Sequence, residues 1–251
     1  MSSPALEIIK LQLRLGSRPV LNDINLKLEP GEFGVLLGEN GAGKTSLFTA
    51  ICGLHHFDHG NISLFGQPQL GTNSELMQNL GVVFQQASLD LDLSVEQNLR
   101  YAAALQGLNS KQLDQRISES LAHYGLATRR HDTARELNGG HRRRLELIRA
   151  TLHQPALLLL DEPTVGLDPG ARDRFVNEVH ALCEEHKTSV LWSTHLIDEV
   201  RPRDRVFILH EGQIKTGQSA TELCALHDCD SLIEVFRQVT APVSPNAPEV
   251  Q

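Results

Sequence analysis

A short apolar run, Phe33 to Leu37, leads directly into Gly38-Glu39-Asn40-Gly41-Ala42-Gly43-Lys44-Thr45, after which Leu47, Phe48, Ile51 and Leu54 recur at helical spacing. This order of buried strand, glycine-rich loop and helix constrains the chain more than any other feature. Glycines let successive backbone N–H groups turn inward around an anion, and the helix N-terminus adds the positive end of its dipole. The spacing Gly-x4-Gly-Lys-Thr is the phosphate-cradling pattern, so Gly38, Asn40, Gly41, Gly43, Lys44, Thr45 and Ser46 are expected to hold a nucleoside triphosphate. Lys44 is expected to reach the β- and γ-phosphates and the Thr45 hydroxyl to sit on Mg²⁺.

The rest of the pattern supplies a sheet for that loop. Apolar and polar residues alternate from Leu6 to Leu15 and from Ile24 to Leu28, with a turn at Pro30-Gly31. Short apolar runs return at Leu157 to Leu160, Val190 to Trp192 and Val206 to Leu209, separated by helical patterning, and a hairpin is predicted over Phe207 to Thr216, turning at Glu211-Gly212. Strands alternating with helices predict an α/β fold with a mainly parallel sheet covered on both faces. Between about 86 and 137 the pattern is helical, with Leu99, Ala102, Ala103, Leu105, Leu113, Ile117 and Leu121 on one face. One domain is therefore expected over 1–238, with a helical subdomain at about 86–150 inserted in the core. The proline-bearing stretch 239–251 is expected to be a disordered tail.

Composition removes several functions. A net charge of −8 argues against a nucleic-acid partner, because phosphate-backbone binding requires clustered Lys and Arg. The longest purely apolar runs, such as Ala156 to Leu160, fall far short of the roughly twenty residues of a membrane span. Met1-Ser2-Ser3-Pro4 has no basic region, so no secretory signal is expected and the chain reads as cytosolic. Four scattered cysteines, at 52, 183, 224 and 229, do not form a disulfide framework.

The run Leu157-Leu158-Leu159-Leu160-Asp161-Glu162 reads as a buried strand ending in two acids. Ligands of open α/β sheets sit beyond the carboxyl ends of the strands, which places both acids beside the phosphate loop. Asp161 is suited to hold Mg²⁺, directly or through water, and Glu162 to polarise an attacking water.

With those residues in hand, Leu137-Asn138-Gly139-Gly140-His141-Arg142-Arg143-Arg144 resembles the signature motif, in consensus LSGGQ, of ATP-binding cassette (ABC) ATPases. Gln85 after Val82-Val83-Phe84 is similar to the Q-loop glutamine, Gly166-Leu167-Asp168-Pro169 to the D-loop, and Ser193-Thr194-His195 to the switch histidine. The resemblance spans roughly residues 5 to 220. It implies a phosphate-loop NTPase (RecA-like) fold, a mainly parallel sheet with an N-terminal antiparallel β subdomain and a helical subdomain insertion. It also implies ATP and Mg²⁺ as ligands and a homodimer in which two ATP molecules are sandwiched, each between one subunit's phosphate loop and the other's signature helix. In that scheme Asn138, Gly139, Gly140 and Asp168 contact ATP from the opposite subunit. His195 holds the γ-phosphate and the attacking water in line. Gln85 senses Mg²⁺ and reports to the helical insertion, and Asn138 caps its helix.

Two departures stand out. The family's adenine-stacking aromatic is Leu15 here, so adenine selectivity is expected to be blunted; stacking is typically worth about 1–3 kcal/mol. The signature serine and glutamine are Asn138 and His141. A single cassette, a short helical insertion and no further domain point to the energising subunit of a membrane transporter, peripheral on the cytoplasmic face. Such a subunit docks on permease subunits through the region from Gln85 to Arg100. The alternative is a soluble ABC ATPase of translation or DNA maintenance, whose relatives carry tandem cassettes or a long coiled coil. Pro163 to Pro169 and the compact C-terminus resemble the ABC-2 or export type. Leu89 to Ser94 with the Leu137 motif is similar to a bacterial branch associated with pyrroloquinoline-quinone (PQQ)-dependent alcohol dehydrogenase systems.

Other clusters carry less. His55, His56 and His59 are expected on the surface, and Cys224-x4-Cys229 with His227 lacks a complete metal-ligand set. Cys52 and Cys183 are expected in the core. In His141-Arg142-Arg143-Arg144 the side chains should leave a helix on different faces, which favours an interface or phosphate role over nucleic acid.

Overall fold

Buried and exposed side chains alternate along Leu6–Leu15 (β1) and Arg18–Leu28 (β2), so each strand turns one face inward. The computed structural model describes residues 3–69, 71, 74–108 and 112–241. β2 begins at Arg18, ahead of the alternating segment at Ile24, because antiparallel pairing of Leu15 with Arg18 carries the hairpin through Pro19. Proline is tolerated there since β2 is the outer strand of its sheet. Phe33–Leu37 (β3) is buried at every residue and passes through the glycine-rich loop into Lys44–Ile51 (α1). His59–Leu64 (β4) pairs with the other side of β1, and Gln67–Pro68 (β5) completes a four-stranded antiparallel sheet in the order β2-β1-β4-β5.

The chain then continues through Ser74–Met77 (α2) and Leu80–Val83 (β6) into the helical insertion, Val95–Leu105 (α3) and Leu113–His123 (α4). Gly139–Thr151 (α5) returns it to Leu157–Asp161 (β7), followed by Pro169–His186 (α6), Ser189–Thr194 (β8) and Arg205–His210 (β9). Gln213–Ile214 (β10) and Gln218–Ser219 (β11) both fold back antiparallel on β9, and Ala220–Leu226 (α7) and Leu232–Thr240 (α8) end the described chain. α8 thus takes in residues 239 and 240, Ala241 follows as its C-cap, and 242–251 of the expected tail lies outside the described residues.

The second sheet has the order β10-β9-β3-β8-β7-β6, with β9, β3, β8, β7 and the outer strand β6 all parallel. Along β7, Leu158 and Leu160 pack into one apolar cluster with Trp192 and Phe175, while Leu157 and Leu159 pack into the other with Phe48 and Leu191. Burial on both faces is why these strands read as continuous apolar runs. Register brings the strand ends level: Leu37 pairs with Thr194, Asp161 with Ser193, and Val83 with Leu160.

Residues 86–94 differ from the helical expectation and form an extended loop. The cause is Asn98 on α3, whose buried side chain reaches back into the loop. Its Oδ1 accepts from Asp90 N at 3.0 Å, and its Nδ2 donates to the carbonyls of Asp90, Leu93 and Ser94. The Asp90 amide and carbonyl are thereby paired with a side chain instead of a helical ladder. Ser94 and Gln97 close a capping box that starts α3.

Glu96 ties the insertion together. It accepts from Arg130 Nε and Nη2, each at 2.7 Å, and from Arg100 Nε at 2.8 Å. Hydrogen bonding from Arg130, opposed by burial and aided by Arg100, holds its carboxyl down to about 2. A depressed acid stabilises the fold above its unfolded value, and this contribution disappears as pH falls from 4.5 toward about 2. Glu96→Gln should therefore lower the unfolding free energy at neutral pH by about 1.5–3 kcal/mol. It should also flatten the acid limb of the stability curve, as measured by denaturant titration at several pH values.

Candidate functional site

The C-terminal ends of β3, β8, β7 and β6 open onto one edge of the sheet. There they deliver in turn the glycine-rich loop, His195, the acids Asp161 and Glu162, and Gln85. Gly38 leaves β3 against β9, where a Cβ would stand 2.6 Å from the Leu209 carbonyl oxygen, so a side chain is excluded. Gly43 has φ 110° and a Cβ there would meet Leu21 at 2.8 Å. These two positions hold the loop close to both sheets and leave Lys44 N-terminal in α1.

A cleft of about 670 Å³ follows the loop. Asn40, Gly41, Gly43, Lys44, Thr45, Ser46, Gln85, Glu162 and His195 line it, so most of the residues anticipated for phosphate binding and hydrolysis are brought together. Its far end is formed by Leu15, Arg18, Pro19, Val20, Glu211 and Gly212. Of these only Leu15 was anticipated. The others come from the hairpin turn of β1 and β2 and from the β9–β10 turn, whose lining role depends on how the two sheets stack. Leu15 is half exposed and supplies apolar contact where the family's ring would be.

Charge in the cleft is buried and paired. Lys44, 4% exposed, donates to the carbonyls of Gly38 at 2.7 Å and Glu39 at 3.0 Å, and its Nζ lies 3.0 Å from Glu162 Oε1. Glu162 Oε2 lies 3.5 Å from His195 Nδ1. The backbone of Glu162 is left-handed, φ 43°, which turns its carboxylate back toward the loop. Ser193 is the next-to-last residue of β8, before Thr194. Its hydroxyl donates to Asp161 Oδ1 at 2.6 Å and accepts from Glu162 N at 3.0 Å, orienting both acids. Asp161 is fully buried, and its Oδ2 has no hydrogen-bond partner among the described residues. Asp161 does not itself line the cleft, but its neighbour Glu162 does, with Thr45 and Gln85, and an orphaned buried carboxylate oxygen there fits a hard divalent cation such as Mg²⁺.

The remaining anticipated residues lie elsewhere. Asn138, Gly139, Gly140 and Asp168 line a separate concavity of about 260 Å³ with His141, Gly166, Ala171 and Arg174, and no residue lines both spaces. Asn138 caps α5 through Oδ1, which accepts from His141 N at 2.9 Å, and Asp168 caps α6 by accepting from Ala171 N at 2.9 Å. Burial, then the charges of Arg129 and Arg144, hold the His141 imidazole below its usual range.

In the run Arg142-Arg143-Arg144 each guanidinium has acceptors within the chain, and Arg144 also lines the second concavity. Arg142 donates to the carbonyls of Ala134 and Arg135, Arg144 pairs with Glu178 of α6 at 2.7 Å, and Arg143 is buried. His55, His56 and His59 are exposed, and Cys52 and Cys183 are buried.

Comparison with known proteins agrees with this architecture. Residues 21–165 match the ABC transporter family model. The chain is 36% identical over 238 residues to a Nod factor export ATP-binding protein I of Burkholderia orbicola, covering 94% of this chain and 78% of that protein. It is 33% identical over 221 residues to the linearmycin resistance ATP-binding protein LnrL of Bacillus subtilis, covering 88% and 71% respectively. The solved structure of cbiO1 from Clostridium perfringens, part of the ABC transporter complex cbiONQ, superposes with a TM-score of 0.81 at 26% identity over 96% of each chain. No helix among the described residues is long and apolar enough to cross a membrane. With its phosphate loop, strand-end acids and signature helix on one phosphate-loop fold, the chain belongs to the ABC transporter family, as an ATP-hydrolysing, ATP-binding subunit of a transporter.

Proposed function

We propose that the chain works as an ATP-sandwich homodimer that energises permease subunits from the cytoplasmic face of the membrane, in the direction of export. The observation that carries this reading is the division of the nucleotide-handling residues into two concavities that share no lining residue. A triphosphate in the cleft is served by Lys44, Thr45, Gln85, Glu162 and His195 of one copy. Asn138, Gly139, Gly140 and Asp168 of a second copy supply the missing side, with the α5 N-terminus presenting free N–H groups and its positive dipole end to the γ-phosphate. Mg²⁺, held by Thr45, Asp161 and Gln85, would neutralise charge on the phosphate oxygens. Glu162 accepts the proton of the attacking water, and His195 orients that water.

The three N–H donors of Lys44 face the carbonyls of Gly38 and Glu39 and the Glu162 carboxylate. Phosphate oxygens entering the cradle compete for that ammonium. The contact most readily exchanged is the one to Glu162, since the two carbonyls belong to the cradle itself. Arrival of ATP then frees the base for water. Export is supported by the relatives named for Nod factor export and linearmycin resistance. The permease face is the 86–94 loop with α3, where Tyr101 and Leu105 are exposed. Purification of the chain together with a membrane-spanning protein would support transport, and co-purification with ribosomes would favour the soluble alternative.

Glu162→Gln should abolish turnover while ATP remains bound, because the cradle is intact and only water activation is lost. The variant should accumulate as an ATP-dependent dimer by light scattering. Hydrolysis at near wild-type rates would remove Glu162 from the role of base.

Leu15 gives the base only apolar contact, so ATP should be favoured over GTP by less than about tenfold, roughly 1.4 kcal/mol. Leu15→Tyr should tighten ATP binding by calorimetry. A strong ATP preference unchanged by that substitution would show that another residue reads the base.

The Oδ1 of Asn138 is committed to its cap, which leaves Nδ2 as a donor toward the partner's nucleotide. Asn138→Ser preserves cap and donor, and hydrolysis should survive. Asn138→Asp preserves the cap but sets a carboxylate against phosphate, and hydrolysis should collapse while the monomer folds normally. Normal hydrolysis by the Asp variant would mean that α5 does not face nucleotide.

A further inference from the structure

The guanidinium of Arg143, 7% exposed on the second turn of α5, spends all five of its N–H donors inside the protein. Nε donates to the Pro163 carbonyl. Nη1 donates to the Phe84 carbonyl at 2.9 Å and to Glu146 Oε2 at 2.8 Å. Nη2 donates to the carbonyls of Glu162 at 3.3 Å and Asp161 at 3.5 Å. Phe84 immediately precedes Gln85, and Asp161, Glu162 and Pro163 form the acidic strand end and the residue after it. One side chain therefore holds the backbone of both catalytic loops.

The next turns of α5 complete a clamp. Glu146, 2% exposed, balances Arg143 and accepts from Ser88 N at 2.9 Å through its other oxygen. Arg149 donates to the Ser88 carbonyl at 2.6 Å and to the Ser88 hydroxyl. Phe84 and Ser88, which bracket Gln85, are both fastened to α5. The first residues of that same helix, Gly139 and Gly140, line the other concavity. A buried charge is tolerated only with partners of this completeness. Arginine is required because a planar fork can reach five acceptors in fixed directions, whereas an ammonium offers three donors from one point.

We infer that Arg143 is a positioning residue. With Glu146, it fixes Gln85 and Glu162 relative to one another and links both to the end of α5 that meets the partner's nucleotide. This rests on the proposed roles of Gln85 and Glu162 in hydrolysis. A shift of the Gln85 loop on binding Mg²⁺ and ATP is passed to α5 through the fork, without an intervening flexible segment.

The test is a double-mutant cycle on ATP hydrolysis by the full chain, measured well below its thermal midpoint. Arg143→Lys keeps the charge opposite Glu146 and loses the fork. It should lower kcat by about tenfold or more while the KM for ATP stays within about twofold. In a Gln85→Ala background the same change should cost less than it does in the wild type, because one of the two residues being positioned is gone. Should Arg143→Lys fail to fold, Glu146→Gln, which keeps an acceptor for Ser88 N, is expected to show a smaller loss of the same non-additive kind. A wild-type kcat in Arg143→Lys, or costs that multiply in full with Gln85→Ala, would overturn the inference and leave Arg143 a packing residue. A wild-type kcat in Gln85→Ala alone would instead refute the role given to Gln85, and the relay with it. A chain that binds no ATP would refute the proposed function itself.

Discussion

A parallel sheet covered on both faces has no place for polar side chains along its strands, so its chemistry is confined to the strand ends. The order β9-β3-β8-β7-β6, with Leu37, Thr194, Asp161 and Val83 at level positions, gathers residues from 38 to 195 on one edge. Crowding at that edge then dictates residue type. β3 leaves beside β9 so closely that Gly38 has no room for a methyl group, and the loop that follows must curl back under the β1–β2 hairpin, where Gly43 meets Leu21. The phosphate cradle is thus shaped by two sheets at once. That is why the N-terminal antiparallel layer belongs to the site although its strands carry none of the anticipated phosphate or catalytic residues.

Electrostatics at the edge is unbalanced in a way that suits the ligand. Two buried carboxylates, Asp161 and Glu162, stand near a single ammonium, Lys44, which contacts only the second. Asp161 is left with the Ser193 hydroxyl on one oxygen and nothing on the other among the described residues. Its field is felt nearby. The Cys52 thiol is pushed up to about 12, first by burial and then by the Asp161 charge. Desolvated negative charge of this kind is costly without a counter-ion.

Much of this was legible in the sequence because its signals are local. Buried parallel strands announce themselves as short apolar runs, and the cradle by glycine spacing. The acids follow the rule that ligands sit beyond strand ends. What could not be read depends on side chains reaching across the chain. The 86–94 loop carries no breaker strong enough to forbid a helix; its backbone groups are taken instead by Asn98, by Glu146 and Arg149 at Ser88, and by the amides of Ala134 and Arg135. Ser193 sits in a quoted motif, yet its bonds to Asp161 and Glu162 require strand pairing. Arg18, Val20 and Glu211 line the cleft because of how the sheets stack, which periodicity does not encode.

The run Arg142-Arg143-Arg144 shows the limit of reading charge by composition. Successive residues on a helix point about 100° apart, so three adjacent arginines sample most of the circumference. Around α5 that circumference is not uniform. Arg142 meets the carbonyl-rich turn at Ala134 and Arg135, Arg143 the backbone of Phe84 and Glu162 at the sheet edge, and Arg144 the acidic flank of α6 at Glu178. Each guanidinium is matched to acceptors contributed by a different part of the chain, the insertion, the sheet edge and the core helix in turn. α5 is therefore a joint between the three parts, and its basic residues fasten the molecule to itself. A solvated basic face would have left those carbonyls to water, and the glutamine loop with no anchor on the helix that carries the signature residues.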